Sequence, residues 1–104
     1  MTNPLLRGLK PMHPGELLRD VLLPSINRPK TEIAKLLGVS RPTLHDILAE
    51  TKPVTTAMAM RIGKLCGNGP ELWLNLQQKY DIAQVKKEIG KEIEKIPTLH
   101  AAVA

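Results

Sequence analysis

The stretch GVSRPTLHDIL, residues 38–48, decides the fold that this sequence predicts. Gly38 follows an apolar segment of helical periodicity, which is typical of a helix that ends in a left-handed C-cap. Ser40 is placed to cap a second helix, because its hydroxyl can accept a hydrogen bond from the amide of Thr43. Apolar residues then recur on one face of that helix at i, i+3 and i+4 spacing: Leu44, Ile47 and Leu48. Two short helices joined by a tight turn are therefore predicted here.

This pair of helices has the layout of a helix-turn-helix, in which a short turn with a glycine joins two packed helices. The first helix is predicted over residues 31–37, with three apolar side chains directed inward: Ile33, Leu36 and Leu37. Ala34, four residues before Gly38, has a small side chain where the second helix has to cross closely. An unrelated helical hairpin would need only the apolar positions. The small residue, the glycine and the cap together favour the helix-turn-helix.

Composition restricts the class of protein. A chain of 104 residues can bury one hydrophobic core, and with no Phe, one Trp and one Tyr that core has to be largely aliphatic. A net charge of +5 predicts a polyanionic partner, either nucleic acid or an acidic protein. The single cysteine, Cys66, excludes an internal disulfide and is expected to be a core thiol. With no apolar run of about 18 residues and no signal-peptide pattern, we expect a soluble, cytoplasmic protein that contacts no membrane.

The flanking segments complete an all-α fold of five helices, since no strand pattern appears. The first helix is expected to be capped by His13, to begin at Pro14 and to end at Pro24. Its predicted apolar face comprises Leu17, Leu18, Val21 and Leu22. The fourth helix is capped by Thr55 and ends at Gly67. Its predicted apolar face comprises Met58, Ile62, Leu65 and Cys66.

The fifth helix begins at Pro70 and is predicted to reach Ile96. In its first half three side chains are expected to pack against the fourth helix: Leu72, Trp73 and Leu76. Its second half carries an apolar stripe with a spacing near the 3.5-residue repeat of paired helices: Ile82, Val85, Ile89 and Ile93. We predict that this apolar stripe is a homodimer interface; the alternative is that it folds back on its own core. Gly90 is expected to be a weak point of the helix.

The predicted organisation has three parts: an N-terminal arm (residues 1–13), a helix-turn-helix domain (residues 14–80), and a C-terminal helix extension with a tail (residues 81–104).

A helix-turn-helix places the N-terminal residues of its second helix against base edges in the major groove of double-stranded DNA. Arg41 at that end can reach guanine O6 and N7. The residues predicted to read or approach bases are Ser40, Arg41, Thr43, His45 and Asp46. The residues predicted to contact phosphates, and so to position the protein without reading sequence, are Lys30, Thr31, Lys35 and Lys52. A solvated helix face is the alternative for each side chain, and the motif favours DNA contact for Ser40, Arg41 and Thr43.

Three segments carry a resemblance to a known family: HPGELLRDVLLP, TEIAKLLGVSRPTL and ELWLNLQQKYD. The chain resembles the HigA-type antitoxins of toxin–antitoxin modules, also called virulence-associated protein I, within the lambda-repressor-like helix-turn-helix group. The resemblance covers roughly residues 9–97. It implies a dimer that binds operator DNA, represses its own operon and neutralises a small HigB-like ribonuclease toxin. It also places Ser40, Arg41, Thr43 and Asp46 where such proteins read or approach DNA.

Three other functions stay open at this point. A stand-alone helix-turn-helix repressor without a toxin would have the same motif. A protein-interaction bundle that no longer binds DNA would use its charge and apolar stripe for protein partners. An enzyme is disfavoured, because His13, His45 and His100 lack metal-ligand spacing and no catalytic motif is present. No catalytic residue, metal or cofactor is predicted.

Overall fold

The computed structural model describes residues 11–100, and every regular element among them is helical. The first helix, α1, consists of three consecutive segments: Pro14–Leu17, Leu18–Leu22 and Leu23–Ile26. The other helices are α2 (Lys30–Leu37), α3 (Arg41–Leu48), α4 (Thr56–Cys66) and α5 (Pro70–Glu94). The prediction of an all-α fold with five helices is confirmed. Residues 1–10 of the predicted arm and residues 101–104 of the predicted tail lie outside the described residues.

One hydrophobic core joins all five helices. Its largest fully buried apolar side chains come one from each helix: Leu18, Ile33, Leu44, Ile62 and Trp73. Burial of Trp73, as predicted, leaves its indole N–H in need of an acceptor. Nε1 donates to Oδ1 of Asn68 at 2.9 Å, in the loop between α4 and α5. The core is therefore aliphatic with one tryptophan, as the composition requires.

Helix α1 continues past Pro24, so the prediction that this proline ends the helix was wrong. Residues Leu18–Leu22 form a π-helical turn, in which the amide of Leu23 donates to the carbonyl of Leu18. This wider turn precedes Pro24 and accommodates a residue that has no N–H to donate. The helix ends instead at Asn27, which has the left-handed φ of 56°.

The π turn also changes which side chains of α1 face the core. It brings Leu23, five residues after Leu18, onto the buried face. Val21, predicted to face inward, is 55% exposed. Leu17 and Leu22 are half-buried, so the prediction is correct for Leu18 and partly correct for these two.

Two further apolar predictions were wrong for a common reason. Leu36 of α2 and Leu72 of α5 are exposed, although their spacing suggested burial. In α2 the buried face is centred on Ile33, Ala34 and Leu37, and in α5 it is centred on Trp73 and Gln77. At about 100° per residue, Leu36 and Leu72 each lie more than a quarter turn from those centres.

Helix α5 is long and bent. Its backbone is non-helical at Ile89 (φ −126°, ψ 15°), one residue before the glycine at which a weak point was expected. The helix ends at Glu94, two residues before the predicted Ile96, because the amides of Lys95 and Ile96 form tighter i→i−3 bonds. It runs without interruption across the predicted domain boundary after residue 80. No helix within residues 11–100 has the length and apolar character needed to cross a membrane.

Candidate nucleic-acid interface

The turn between α2 and α3 is fixed from two directions. Gly38 has a left-handed φ of 75°, as a C-cap requires. From α4, Nη1 of Arg61 donates to the carbonyl of Leu37 at 2.7 Å. A Cβ added at Gly38 would lie 2.7 Å from the same Nη1. The backbone conformation is therefore what favours glycine here, since Nη1 is the flexible end of the Arg61 side chain.

The N-terminus of α3 is exposed and well capped. The Oγ of Ser40 accepts from the amide of Thr43 at 3.2 Å, as predicted, and lies 2.8 Å from the Thr43 hydroxyl. Arg41, Thr43 and His45 are exposed, while Asp46 is half-buried. On the opposite face of α3 the three predicted apolar side chains are buried: Leu44, Ile47 and Leu48. The core thus holds α3 while leaving its first turn free to approach another molecule.

The predicted base-contacting residues lie on two sides of α3. Arg41 and His45 line one small recess together with Lys30 of α2. Thr43 and Asp46 line a second, larger depression on the other side of the helix. No hydrogen bond or ion pair in the described part of the chain joins Arg41 to Asp46, so the structure gives Asp46 no role in orienting this arginine.

The second depression is lined on its far side by cationic residues of two other segments. Lys52 contributes from the loop after α3, and Arg61 contributes from α4. Thr55, which caps α4 by accepting from the amide of Met58 at 3.2 Å, lines the same depression. Basic and hydroxyl groups therefore flank α3 on this side, as Lys30 does on the other.

The loop after α3 is tied to α3 itself. The carbonyl of Asp46 accepts from the amide of Thr51 at 2.9 Å, from the hydroxyl of Thr51 at 3.0 Å and from the amide of Lys52 at 3.3 Å. Glu50, between helix and loop, has a left-handed φ of 64°. These bonds hold the backbone of Lys52 beside α3.

The charge of Glu50 at the end of α3 is compensated within the chain. Nη1 of Arg19, in α1, lies 3.1 Å from Oε2 of Glu50 and donates to the carbonyl of Leu48 at 2.9 Å. The same guanidinium binds Asp20, with Nε 2.8 Å from Oδ1. Arg19 thus reduces the repulsion that Glu50 would exert on a phosphate, and it satisfies a carbonyl at the C-terminus of α3.

All four predicted phosphate contacts are exposed: Lys30, Thr31, Lys35 and Lys52. Lys30 and Thr31 lie at the N-terminus of α2, where Pro29 offers no side-chain cap. The first turn of α2 therefore has no side-chain cap and carries a lysine together with the acidic Glu32, and the helix dipole at this end favours anions.

Two arginines at this surface were missed in the sequence. Arg61 lies in a helix that was interpreted through its apolar face, and Arg19 lies in one whose inward side was predicted incorrectly. No local pattern marks either residue, because their partners lie 24 and 29 residues away in the chain. A basic residue within a largely apolar helix does not distinguish Arg61, because Lys64 of the same helix shares that feature.

A second surface lies on α5. Ile82 is 59% exposed, Val85 45% and Ile93 52%, while Ile89 is half-buried. These residues line an open groove of about 800 Å³ along α5. In the single chain, therefore, the apolar stripe does not fold back onto the core.

The described residues offer hydrogen bonding and charge rather than a preformed metal site. Among residues 11–100, no three His, Cys, Asp or Glu side chains form a group that could hold a metal ion. Cys66 is half-buried in α4, and burial raises the pKa of its thiol.

The related proteins and the similar solved structures point to the same family. No protein-family model matches the chain. Virulence-associated protein A′ of Dichelobacter nodosus is 36% identical over 88 residues, which cover 84% of this chain and 76% of that protein. The structure of Pseudomonas aeruginosa antitoxin HigA with the higBA promoter is 36% identical, with a TM-score of 0.81 over 88% of this chain and 100% of that one. The chain belongs to the HigA family of helix-turn-helix antitoxins.

A further solved structure extends the similarity. Antitoxin GraA in complex with its operator is 34% identical, with a TM-score of 0.80, and the match covers 97% of this chain and 99% of that one. Because these two matches cover 88% and 97% of this chain, the similarity includes the long α5 as well as the helix-turn-helix.

Proposed function

We propose that this HigA-family protein binds operator DNA upstream of its own genes, represses their transcription and neutralises a partner toxin. The observation that carries DNA binding is the N-terminal turn of α3, which is capped by Ser40, exposed at Arg41 and Thr43, and held by a buried opposite face. Relatives solved with a promoter or an operator support the proposal. The function requires no cofactor and places the protein in the cytoplasm, with the DNA.

Each predicted base contact has a distinct role in this proposal. Arg41 donates to O6 and N7 of a guanine, and His45, on the same side of α3, approaches the neighbouring base. Thr43 contacts a base edge or a thymine methyl on the other side. Asp46 accepts from a cytosine amino group. Ser40 holds the first turn of α3 through its cap and approaches the DNA from that position.

The phosphate contacts flank α3 on both sides. Lys30, Thr31 and Lys35 of α2 approach one strand of the backbone, while Lys52 approaches the other from the loop after α3. These contacts position the protein without reading sequence and make its affinity depend on salt.

Two copies of the chain are needed for useful specificity. One short helix reads too few bases to select a site in a genome, whereas a two-fold dimer reads two half-sites about 34–36 Å apart. We propose that the apolar stripe of α5, Ile82, Val85, Ile89 and Ile93, forms the interface of this homodimer.

The toxin proposed as the other partner is a small HigB-like ribonuclease. An adjacent reading frame for such a toxin would distinguish this proposal from a stand-alone repressor.

The proposal is tested by measuring affinity for the operator and for a scrambled duplex of equal length. Arg41→Ala is expected to weaken operator binding by about 1–3 kcal/mol and to affect the scrambled duplex much less, because it removes a base contact. Lys35→Ala is the matched control: it should weaken both duplexes alike and reduce the slope of log affinity against log salt.

Two results would contradict the proposal. Equal losses on both duplexes for Arg41→Ala would remove its base-reading role. A wild-type protein without a steep salt dependence would contradict DNA binding itself and favour the protein-interaction bundle.

A further inference from the structure

The segment ELWLNLQQKYD in α5 contains a buried polar side chain that DNA reading does not explain. Gln77 is 7% exposed, and within residues 11–100 only one other polar side chain, that of His13, is buried to this degree. A buried amide is costly unless its oxygen and nitrogen both find partners. The partners of Gln77 therefore indicate what this residue holds in place.

Both ends of the Gln77 amide are bonded. Its Oε1 accepts from the amide of Val54 at 2.8 Å, and its Nε2 donates to Oδ1 of Asp81, one turn further along α5, at 2.8 Å. The bond to Asp81 fixes which end of the amide faces Val54, because the carboxylate can only accept. Val54 is itself 3% exposed, so its N–H has no access to water in place of Gln77.

Val54 belongs to the loop between α3 and α4, which also contains Lys52. One end of this loop is bonded to α3 through the carbonyl of Asp46. Gln77 holds the other end, 23 residues away in sequence. The exposed side chain of Lys52 thus extends from a short loop that is anchored at both ends.

We propose that Gln77, oriented by Asp81, is a positioning residue for DNA binding that holds the Lys52 loop in the geometry needed for a phosphate contact. This inference rests on the proposed DNA-binding function. Without Gln77 the buried Val54 N–H has no acceptor, so the loop shifts outward until water supplies one. The loop is then held only at its α3 end, through the carbonyl of Asp46, and the Lys52 side chain no longer keeps the geometry that a phosphate contact requires.

The test uses full-length Gln77→Met, which preserves side-chain volume and removes both hydrogen bonds. Operator affinity is measured at several salt concentrations, below the melting temperature of every variant. We expect the plot of log affinity against log salt to become less steep by about 0.9 for each half-site bound, because one phosphate contact is lost in each. Asn75→Leu, which changes an exposed amide of the same helix, is the matched control and should leave the slope unchanged.

A double-mutant cycle with Lys52→Ala separates positioning from stability. If Gln77 acts through Lys52, the slope for Gln77→Met with Lys52→Ala equals that for Lys52→Ala alone.

Each outcome decides one question. A Gln77→Met variant that melts earlier but keeps the wild-type slope would overturn the positioning role and leave Gln77 as a stabilising residue only. Additive effects in the double mutant would overturn the route through Lys52. A wild-type protein that fails to bind its operator would instead refute the proposed function.

Discussion

At the residue scale, His13 is the N-cap of α1, as the sequence predicted. Its Nδ1 accepts from the amide of Gly15 at 2.9 Å, and its ring lies edge-on to Tyr80, with centroids 5.0 Å apart. The bond to Gly15 requires an unprotonated Nδ1. Burial lowers the pKa of His13 and outweighs three groups that raise it: the Glu50 carboxylate, the Lys52 carbonyl and the Asp81 carboxylate.

Protonation of His13 is therefore expected to destabilise the fold. Because its pKa in the folded chain lies below the ordinary 6.5, the unfolded chain binds this proton first. The contribution of His13 is complete above about pH 6.5 and is lost as the pH falls from there through the folded pKa. We expect the urea midpoint to decrease between about pH 7 and pH 5.

The matched variant for this prediction is His13→Asn, which retains a good capping side chain but does not titrate in that range. In this variant the urea midpoint should change less with pH than it does in the wild-type protein. An equally steep decrease in His13→Asn would show that the pH dependence does not come from His13.

Residues whose partners are close in sequence were predictable, and residues with distant partners were not. The caps at Ser40 and Thr55 and the left-handed Gly38 depend on bonds within one turn of helix, so the residue types alone indicated them. Arg19 and Gln77 bind groups 29 and 23 residues away. Their roles depend on how helices pack, which no local pattern specifies.

At the element scale, the three central helices were predicted within about one residue, because each has a cap, a terminal glycine or both. The π turn of α1 was not, since no residue type is specific to it and Pro24 suggested a helix end. The inward faces of α2 and α5 were only partly predicted. Spacing gives the width of an apolar face, whereas the neighbouring helix decides where its centre lies.

The start of α1 lies so close to α3 that a side chain larger than that of glycine does not fit at Gly15. A Cβ added at Gly15 would overlap the carbonyl oxygen of Ile47 in α3. Gly15→Ala should therefore push α1 away from α3 and reduce the free energy of unfolding by about 1–3 kcal/mol, the usual cost of overpacking. Urea denaturation measures this change.

The same substitution at Gly90 is the control for Gly15→Ala. A Cβ there would have its nearest neighbour, Cγ of Lys86, at an ordinary 3.7 Å. Alanine in a helix is favoured over glycine, so Gly90→Ala is expected to stabilise by up to about 1 kcal/mol. If Gly15→Ala were as well tolerated as Gly90→Ala, the close contact between α1 and α3 would not exist in solution.

At the scale of the whole molecule, the chain is elongated, with dimensions of 51 × 30 × 27 Å. The sequence identified the apolar stripe of α5 but could not decide whether it faces its own core or another chain, because the same spacing serves both. In the folded chain three of its four members are at least 45% exposed. Water-exposed isoleucine and valine at helical spacing are a cost that a second copy would remove.

Dimerisation through this stripe is tested by replacing Val85 and Ile89 together with glutamate. Two buried carboxylates without partners would oppose the interface, so we expect the mass in solution to fall to half the wild-type value. Operator affinity should fall by about a hundredfold or more, since two half-sites no longer bind as one unit.

The control is Asn75→Glu with Gln84→Glu, which adds the same charge to α5 away from the groove and should change neither the mass nor the operator affinity. A Val85→Glu, Ile89→Glu protein that remains folded and dimeric would place the interface on another surface, and the exposed stripe would then need a different partner.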